Sequence, residues 1–176
     1  GGPMGQMHVQ RAIQMEDGPK VMVATDVNES RLEALNERFV PLAEEYGKKL
    51  YVINPITSEQ SLYDFVMELT DGKGAEDVVA SVPSAALMTE ADTLMNENGM
   101  MVFFAGVPNG TMGALNLSNV YLHNAQYTGT SGLTIDDQAA VLKRAEEGVL
   151  SPGRMVAAIG GMNAGLDAID GVINSS

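Results

Sequence analysis

The 176 residues carry a formal net charge of −13 and are 45% hydrophobic, 19% charged and 5% aromatic. That length fits a single domain with a real core, in which the 12 Met residues serve as gap-fillers; no apolar run of about 18 residues reads as a membrane span, and the start lacks the basic-then-apolar order of a signal peptide. So acidic a surface repels nucleic-acid phosphates, and the absence of Cys excludes disulfides, thiol nucleophiles and thiolate metal ligands, a composition that fits the cytoplasm.

From Pro3 to Glu16 the spacing predicts a helix, with Val9, Ala12 and Ile13 on one face and Pro3 suited to a first turn. "EDGP" breaks it, and "KVMVATD" (Lys20 to Asp26) reads as a strand buried on both faces. Asn28 or Ser30 caps a helix from Glu29 to Phe39. Pro41 is expected to kink or end it, and "PLAEEYGK" to add a further turn. Strands follow at Lys49–Pro55, Ala75–Val82 and Met100–Pro108. Helices are expected at Ser58–Leu69, Ser84–Asn98 and Ile135–Glu147, and "AQYTGTSG" (Ala125 to Gly132) offers a further strand. After Met155 there is a short apolar run, then a helical pattern at Leu166, Ile169, Val172 and Ile173.

Strand and helix alternating at a spacing of about 25 residues is the mark of crossover units on a parallel sheet. The expected class is α/β: one Rossmann-type, doubly wound, mostly parallel sheet with helices on both faces, forming a single domain over residues 1–176. Tyr51, Val78 and Val102 are expected side by side in it.

The opening "GGPMGQMHVQRAIQ" matches the second half of G-x-G-x-x-G. In that turn, glycines let the chain bend sharply, let a diphosphate approach, and let helix and strand pack closely. The helix mouth then offers N–H groups and partial positive charge to the phosphates. Gly2 would be the phosphate-approach glycine, Gly5 the packing glycine, and Gly1 the variable position. The first glycine and its strand would lie upstream of residue 1, so the chain is expected to be a fragment that lacks the first strand. A plain glycine-rich turn remains the alternative.

Asp26 ends the next strand about 20 residues on, where a carboxylate accepts hydrogen bonds from the adenosine ribose. It would repel a 2′-phosphate, which favours NAD over NADP. The plainer reading is an Asp that starts a turn. Arg31 could lie over the adenine, reach the ribose, or be a solvated helix residue.

Together "GGPMGQ", "VATDVNESRLEAL", "MMVFFAGVP" and "YTGTSG" resemble the coenzyme domain of medium-chain, zinc-type alcohol and polyol dehydrogenases. With the tail "AAIGGMNAGLDAIDGVI", the likeness is greatest to the L-sorbose-1-phosphate reductase-like branch. The resemblance implies a set of cofactor-binding positions. Gly2, Pro3 and Met4 would meet the diphosphate, with Gly5 completing the cofactor turn as its packing glycine, and Asp26 and Arg31 would meet the adenosine ribose. Val82 would border the adenine, Gly106 and Val107 the nicotinamide, and Thr130 and Ser131 the carboxamide. Simple strand termination is the alternative for the last two groups.

It further implies a parent enzyme that moves a hydride between NAD and a secondary alcohol, of the sugar, polyol or sugar-phosphate kind, with zinc in a domain outside this chain. No catalytic and no metal-ligating residue is therefore expected here. His8 reads as a solvated or loosely packed helix residue, and His123 as part of a loop or strand edge. The chain alone is expected to be inactive, and to form a homodimer or higher oligomer through the vacated strand position or through "GALNLSNVYLHN" (Gly113 to Asn124), where the family has a strand at its dimer axis.

Three other readings compete: an S-adenosylmethionine-dependent methyltransferase, a non-enzymatic nucleotide-sensing module, and a scaffold that has lost its cofactor. The "G-K" in "TDGKGAED" lacks the spacing and the Ser/Thr of a phosphate loop and reads as a turn.

Overall fold

The computed structural model describes residues 1–174. Helix α1 (Pro3–Gln14) is followed by strand β1 (Val21–Thr25), α2 (Glu29–Glu45), β2 (Lys49–Ile53), α3 (Leu62–Leu69) and β3 (Ala75–Ala80). Then come α4 (Ala85–Asp92), β4 (Met95–Phe103), α5 (Leu117–His123), β5 (Gln126–Thr128), α6 (Ile135–Glu146), two 3-10 turns and α7 (Gly165–Asn174). Side chains that match the local backbone start most of these helices. Asn28, Ser61, Ser84, Asn116 and Thr134 each accept a hydrogen bond from a first-turn N–H, which fills donors that have no partner inside the helix.

Every strand pairing is parallel, but the strands form two hydrogen-bonded sheets rather than one: β1 with β2, and β3, β4 and β5 in that order. Val78 and Val102 lie on neighbouring strands, whereas Tyr51 is in the other sheet. The reason is topological. A doubly wound sheet has the order 3-2-1-4-5-6. With its central position unfilled, that order separates into a pair and a triplet, and these are the two sheets present. The pair and the triplet, all parallel, are those of a Rossmann-type arrangement.

Each sheet has its own core. Ile13, Leu32, Leu35, Phe39, Leu42, Ala43 and Leu50 close over the first sheet, and Ala80, Met88 and Met101 over the second. The first core comes directly from the periodicity of α2, whose residues 32, 35, 39, 42 and 43 share one buried face. Helix α1 ties the halves together. Its Ile13 is in the first core, and its His8 ring stands edge-on to Phe104, just past β4, with centroids 4.4 Å apart. His8 is thus half-buried against an aromatic ring, not the loosely packed residue expected.

Two polar devices fix the C-terminal half of α1. The buried Lys48 ammonium donates to the carbonyls of Ala12 and Met15 at 2.7 and 2.6 Å, which answers the orphan acceptors and negative partial charge of the helix C-terminus. On the same helix Gln10 donates to the Ser151 carbonyl, and Gln14 donates to the Ser151 hydroxyl and accepts from the Ser151 N–H. A third polar knot lies in the second half. Buried Asp92 accepts from the Tyr127 hydroxyl at 2.5 Å and from the Asn116 N–H at 3.2 Å. Burial, then the bond to Asp92, pushes the Tyr127 hydroxyl up to about 12.

Several boundaries differ from the sequence expectation. Helix α2 runs through Pro41 to Glu45, so that proline does not end it. Helix α4 stops at Asp92, and β4 begins at Met95 instead of Met100. Close backbone packing drives this change. A Cβ at Gly74, whose φ is +86, would stand 2.7 Å from the Leu94 carbonyl oxygen, so the entry to β3 and the entry to β4 pack backbone to backbone. The segment from Gly113 to Asn124 contains a helix, α5, where the resemblance implied a strand. His123 is the last residue of that helix and pairs with Glu97 at 3.0 Å.

Replacing Lys48 by Met should leave the carbonyls at the end of α1 without a donor and cost about 1–3 kcal/mol, measured by urea unfolding; an unchanged midpoint would show that the ammonium is dispensable. His8 supplies a pH signature. Burial first, and the positive charge of Arg11 second, hold its imidazole below the ordinary 6.5. Folding therefore favours the neutral ring, so its contribution is intact above that ordinary value and lost as pH falls through the lowered one. His8→Leu should flatten the decline in melting temperature between about pH 7 and about pH 5. Parallel curves for the two proteins would refute this role.

Candidate functional site

The N-terminal mouth of α1 is built from backbone. Gly2 occupies the cap position with no side-chain cap, and Pro3 is the first helical residue. The first turn closes when the Gln6 N–H reaches the Gly2 carbonyl at 2.9 Å. The N–H groups of Gly2, Met4 and Gly5 precede that bond, and Pro3 has none, so the mouth presents donors and the positive end of the helix dipole without a side chain in front of them. The Gly1 amine donates to the Thr25 carbonyl at 2.8 Å, which lays the entering chain along the end of β1. A Cβ at Gly1 would lie 2.7 Å from the Asp26 Cβ, so only glycine allows this approach. Outside its chain neighbours and its own helix backbone, nothing lies within 4 Å of where a Gly5 Cβ would stand; the strand it was expected to pack against is the one expected upstream of residue 1.

Asp26 follows β1 directly and faces this mouth, with its side chain only 11% exposed. Its Oδ1 accepts from the Asn28 N–H at 2.9 Å. Its Oδ2 lies 3.2 Å from the Gly1 ammonium and 3.7 Å from Arg31 Nη1. Burial pushes this carboxyl up, but the charges and hydrogen bonds it receives, the Asn28 N–H and the Arg31 guanidinium among them, outweigh it and hold the group below its ordinary value. The carboxylate is therefore ionised at neutral pH. Arg31 is more than a solvated helix residue: besides Asp26, its Nη1 stands 3.8 Å from where a Gly2 Cβ would lie.

The other candidate positions cluster at the carboxyl ends of the second sheet. Val82 lies two residues past the end of β3 and is 51% exposed. Gly106 and Val107 lie just past β4, and Thr130 and Ser131 just past β5. Contacts join these ends. The N–H groups of Phe104 and Ala105 both donate to the Ala80 carbonyl, and a Cβ at Gly129 would stand 2.9 Å from the Phe103 carbonyl oxygen. The His8–Phe104 ring contact links this edge to α1. Asp26 and the α1 mouth thus lie at the carboxyl end of β1, the other candidates lie at the carboxyl ends of β3, β4 and β5, and the His8–Phe104 contact joins the two groups. In open α/β sheets ligands dock along this edge.

The donor set suits an anionic dinucleotide: backbone N–H groups for a diphosphate, with an ionised carboxylate beside them for sugar hydroxyls. Among the described residues, no three His, Cys, Asp or Glu side chains are grouped so as to hold a metal ion. No helix among them is long and apolar enough to cross a membrane. Two contributors carried no sequence signal. Asn28 orients Asp26 through its backbone, and buried Gln6 donates to the Gly1 carbonyl.

Comparison with known proteins fits this geometry. A family model described as zinc-binding dehydrogenase matches residues 3–147. The chain is 30% identical to mannitol-1-phosphate 5-dehydrogenase of Aliivibrio fischeri over 166 residues, covering 93% of this chain and 39% of that protein. It is 27% identical to L-sorbose 1-phosphate reductase of Klebsiella pneumoniae, covering 93% of this chain and 38% of that protein. It thus spans about two fifths of the length of these relatives. Its fold resembles that of a short chain alcohol dehydrogenase of E. coli CFT073 solved with NADH, at TM-score 0.74 and 19% identity over 98% of this chain and 46% of that one. It also resembles 2R,3R-butanediol dehydrogenase of Bacillus subtilis, at TM-score 0.66 and 18% identity over 87% of this chain and 39% of that one. None of these likenesses favours a methyltransferase or a sensing module. A match over residues 3–147 and a nucleotide-type strand edge together place the chain in the zinc-binding dehydrogenase family.

Proposed function

We propose that this chain is the NAD-holding part of a dehydrogenase acting on a polyol or sugar phosphate. The observation that carries the reading is Asp26: an ionised, largely buried carboxylate aimed at an uncapped helix mouth. In this reading the diphosphate rests on the N–H groups of Gly2, Met4 and Gly5. Asp26 accepts from the adenosine ribose hydroxyls, with Arg31 alongside. Val82 borders the adenine; Gly106, Val107, Thr130 and Ser131 flank the nicotinamide end. Bound there, the nicotinamide would accept or give up a hydride. The chain's own residues orient the cofactor and fix its anionic centre. Substrate chemistry and the family's zinc belong, on this reading, to other parts of the whole protein.

The choice of NAD over NADP follows from charge. A 2′-phosphate would approach a carboxylate that is ionised at neutral pH, and Arg31 is already shared with that carboxylate. The sugar-phosphate or polyol substrate class is supported by two relatives, a mannitol-1-phosphate dehydrogenase and a sorbose 1-phosphate reductase. Pairing with a second copy belongs to the same reading. Leu117, Tyr121 and Leu122 of α5 are 73%, 89% and 65% exposed, an apolar patch of the kind that marks contact surfaces.

Titration of NADH fluorescence tests the core of this proposal. The chain should bind NADH in preference to NADPH, and Asp26→Ala should weaken NADH roughly 10- to 100-fold, the loss of a hydrogen bond to a charged group. No binding, or a preference for NADPH, would overturn it. Light scattering should find a dimer or larger; a monomer would remove that part of the reading.

A further inference from the structure

We infer that Gln6 is a positioning residue for the diphosphate turn; this rests on the dinucleotide reading above. Gln6 is 8% exposed, and its side-chain Nε2 donates to the Gly1 carbonyl at 2.8 Å. Its own N–H bonds the Gly2 carbonyl at 2.9 Å. One residue therefore holds the carbonyls of both peptide units that form the entry to α1. In a planar trans peptide the N–H points opposite to the C=O. Anchoring the Gly1 carbonyl to the buried side of the helix therefore turns the Gly2 N–H away from Gln6, toward the mouth. Glycine is the residue least able to hold that orientation by itself, because its φ and ψ are free. Gly1 must be glycine to pass Asp26, so the stiffness the turn lacks comes from the Gln6 carboxamide.

The geometry assigns Gln6 no contact with the cofactor. It acts through the Gly1–Gly2 peptide, and only on the part of a ligand that meets that peptide. Asp26 also touches Gly1, but the Asn28 N–H and Arg31 hold it without Gln6. The effect of removing Gln6 should therefore divide between phosphate and nucleoside.

The test compares wild type with Gln6→Met, which keeps the length and flexibility of the side chain and loses the donor, with Gln6→Leu as a second variant. Affinities for NADH, ADP and adenosine are measured on the same chain. The expected result is a loss of about tenfold for NADH and for ADP, the size of one neutral hydrogen bond, with adenosine unchanged. The ratio of ADP to adenosine affinity thus falls about tenfold. An equal loss for all three ligands would make Gln6 merely structural and overturn the inference. Unchanged affinities in both variants would also overturn it, while leaving the dinucleotide reading intact. Failure of wild type to bind NADH and ADP would overturn both.

Discussion

The packing of helix α1 against both halves of the molecule is what the remaining structure rests on. Its lower turns give Ile13 to the core of the first sheet, and its His8 meets Phe104 beyond the second. The two sheets share no ladder, so hydrogen bonding between strands cannot set their relation. A helix in contact with both does so instead. The same helix carries the uncapped mouth that faces Asp26. Fold and candidate site therefore depend on one element, and whatever loosens α1 disturbs both.

This explains the effort spent on anchoring it. Lys48 closes one end by filling carbonyls that would otherwise be stranded in a buried place. Gln10 and Gln14 clasp Ser151, which lies about 140 positions away in the chain. Gln6 ties down the other end. Glutamines at positions 6, 10 and 14 thus line one buried face of α1, a face that would ordinarily be apolar. Buried amides demand partners, since an unmatched one costs more than a matched one gains, and these have found theirs in backbone groups at fixed points.

Much of this was legible in the sequence. The apolar runs at Val21 and Leu50 read as strands and are strands, although Ala24 and Leu50 are the buried residues in them and β1 is not buried on both faces; the helix from Glu29 was legible from its cap, but it runs past Pro41 to Glu45. The half glycine fingerprint and Asp26, one strand later, do come together at one sheet edge. What escaped was set by contacts between distant residues. The early start of β4 depends on Gly74 meeting Leu94 backbone to backbone, and no local propensity reports that. The division into two sheets depends on which strand positions are filled, which strand-by-strand reading cannot reveal. Helix α5 stood in a stretch whose apolar residues suited either period. Gln6 was hidden for a different reason: a polar residue after a glycine turn looks solvent-facing until its partner, a carbonyl five residues back, is located.

The split ladder also bears on how the chain comes to be ordered. Each half pairs strands that are neighbours in sequence, β1 with β2 and β3 with β4 with β5, so each can assemble early through short-range closure. The clasp between α1 and Ser151, and the ring contact between His8 and Phe104, span most of the chain and form late by the same reasoning. The α1 mouth and Asp26 both belong to the first half, whereas the edge that continues to the ends of β3, β4 and β5 needs both halves. That edge is continuous only when the two modules dock, so the His8–Phe104 contact reports completed assembly, and a ligand long enough to reach both halves would act on that last step.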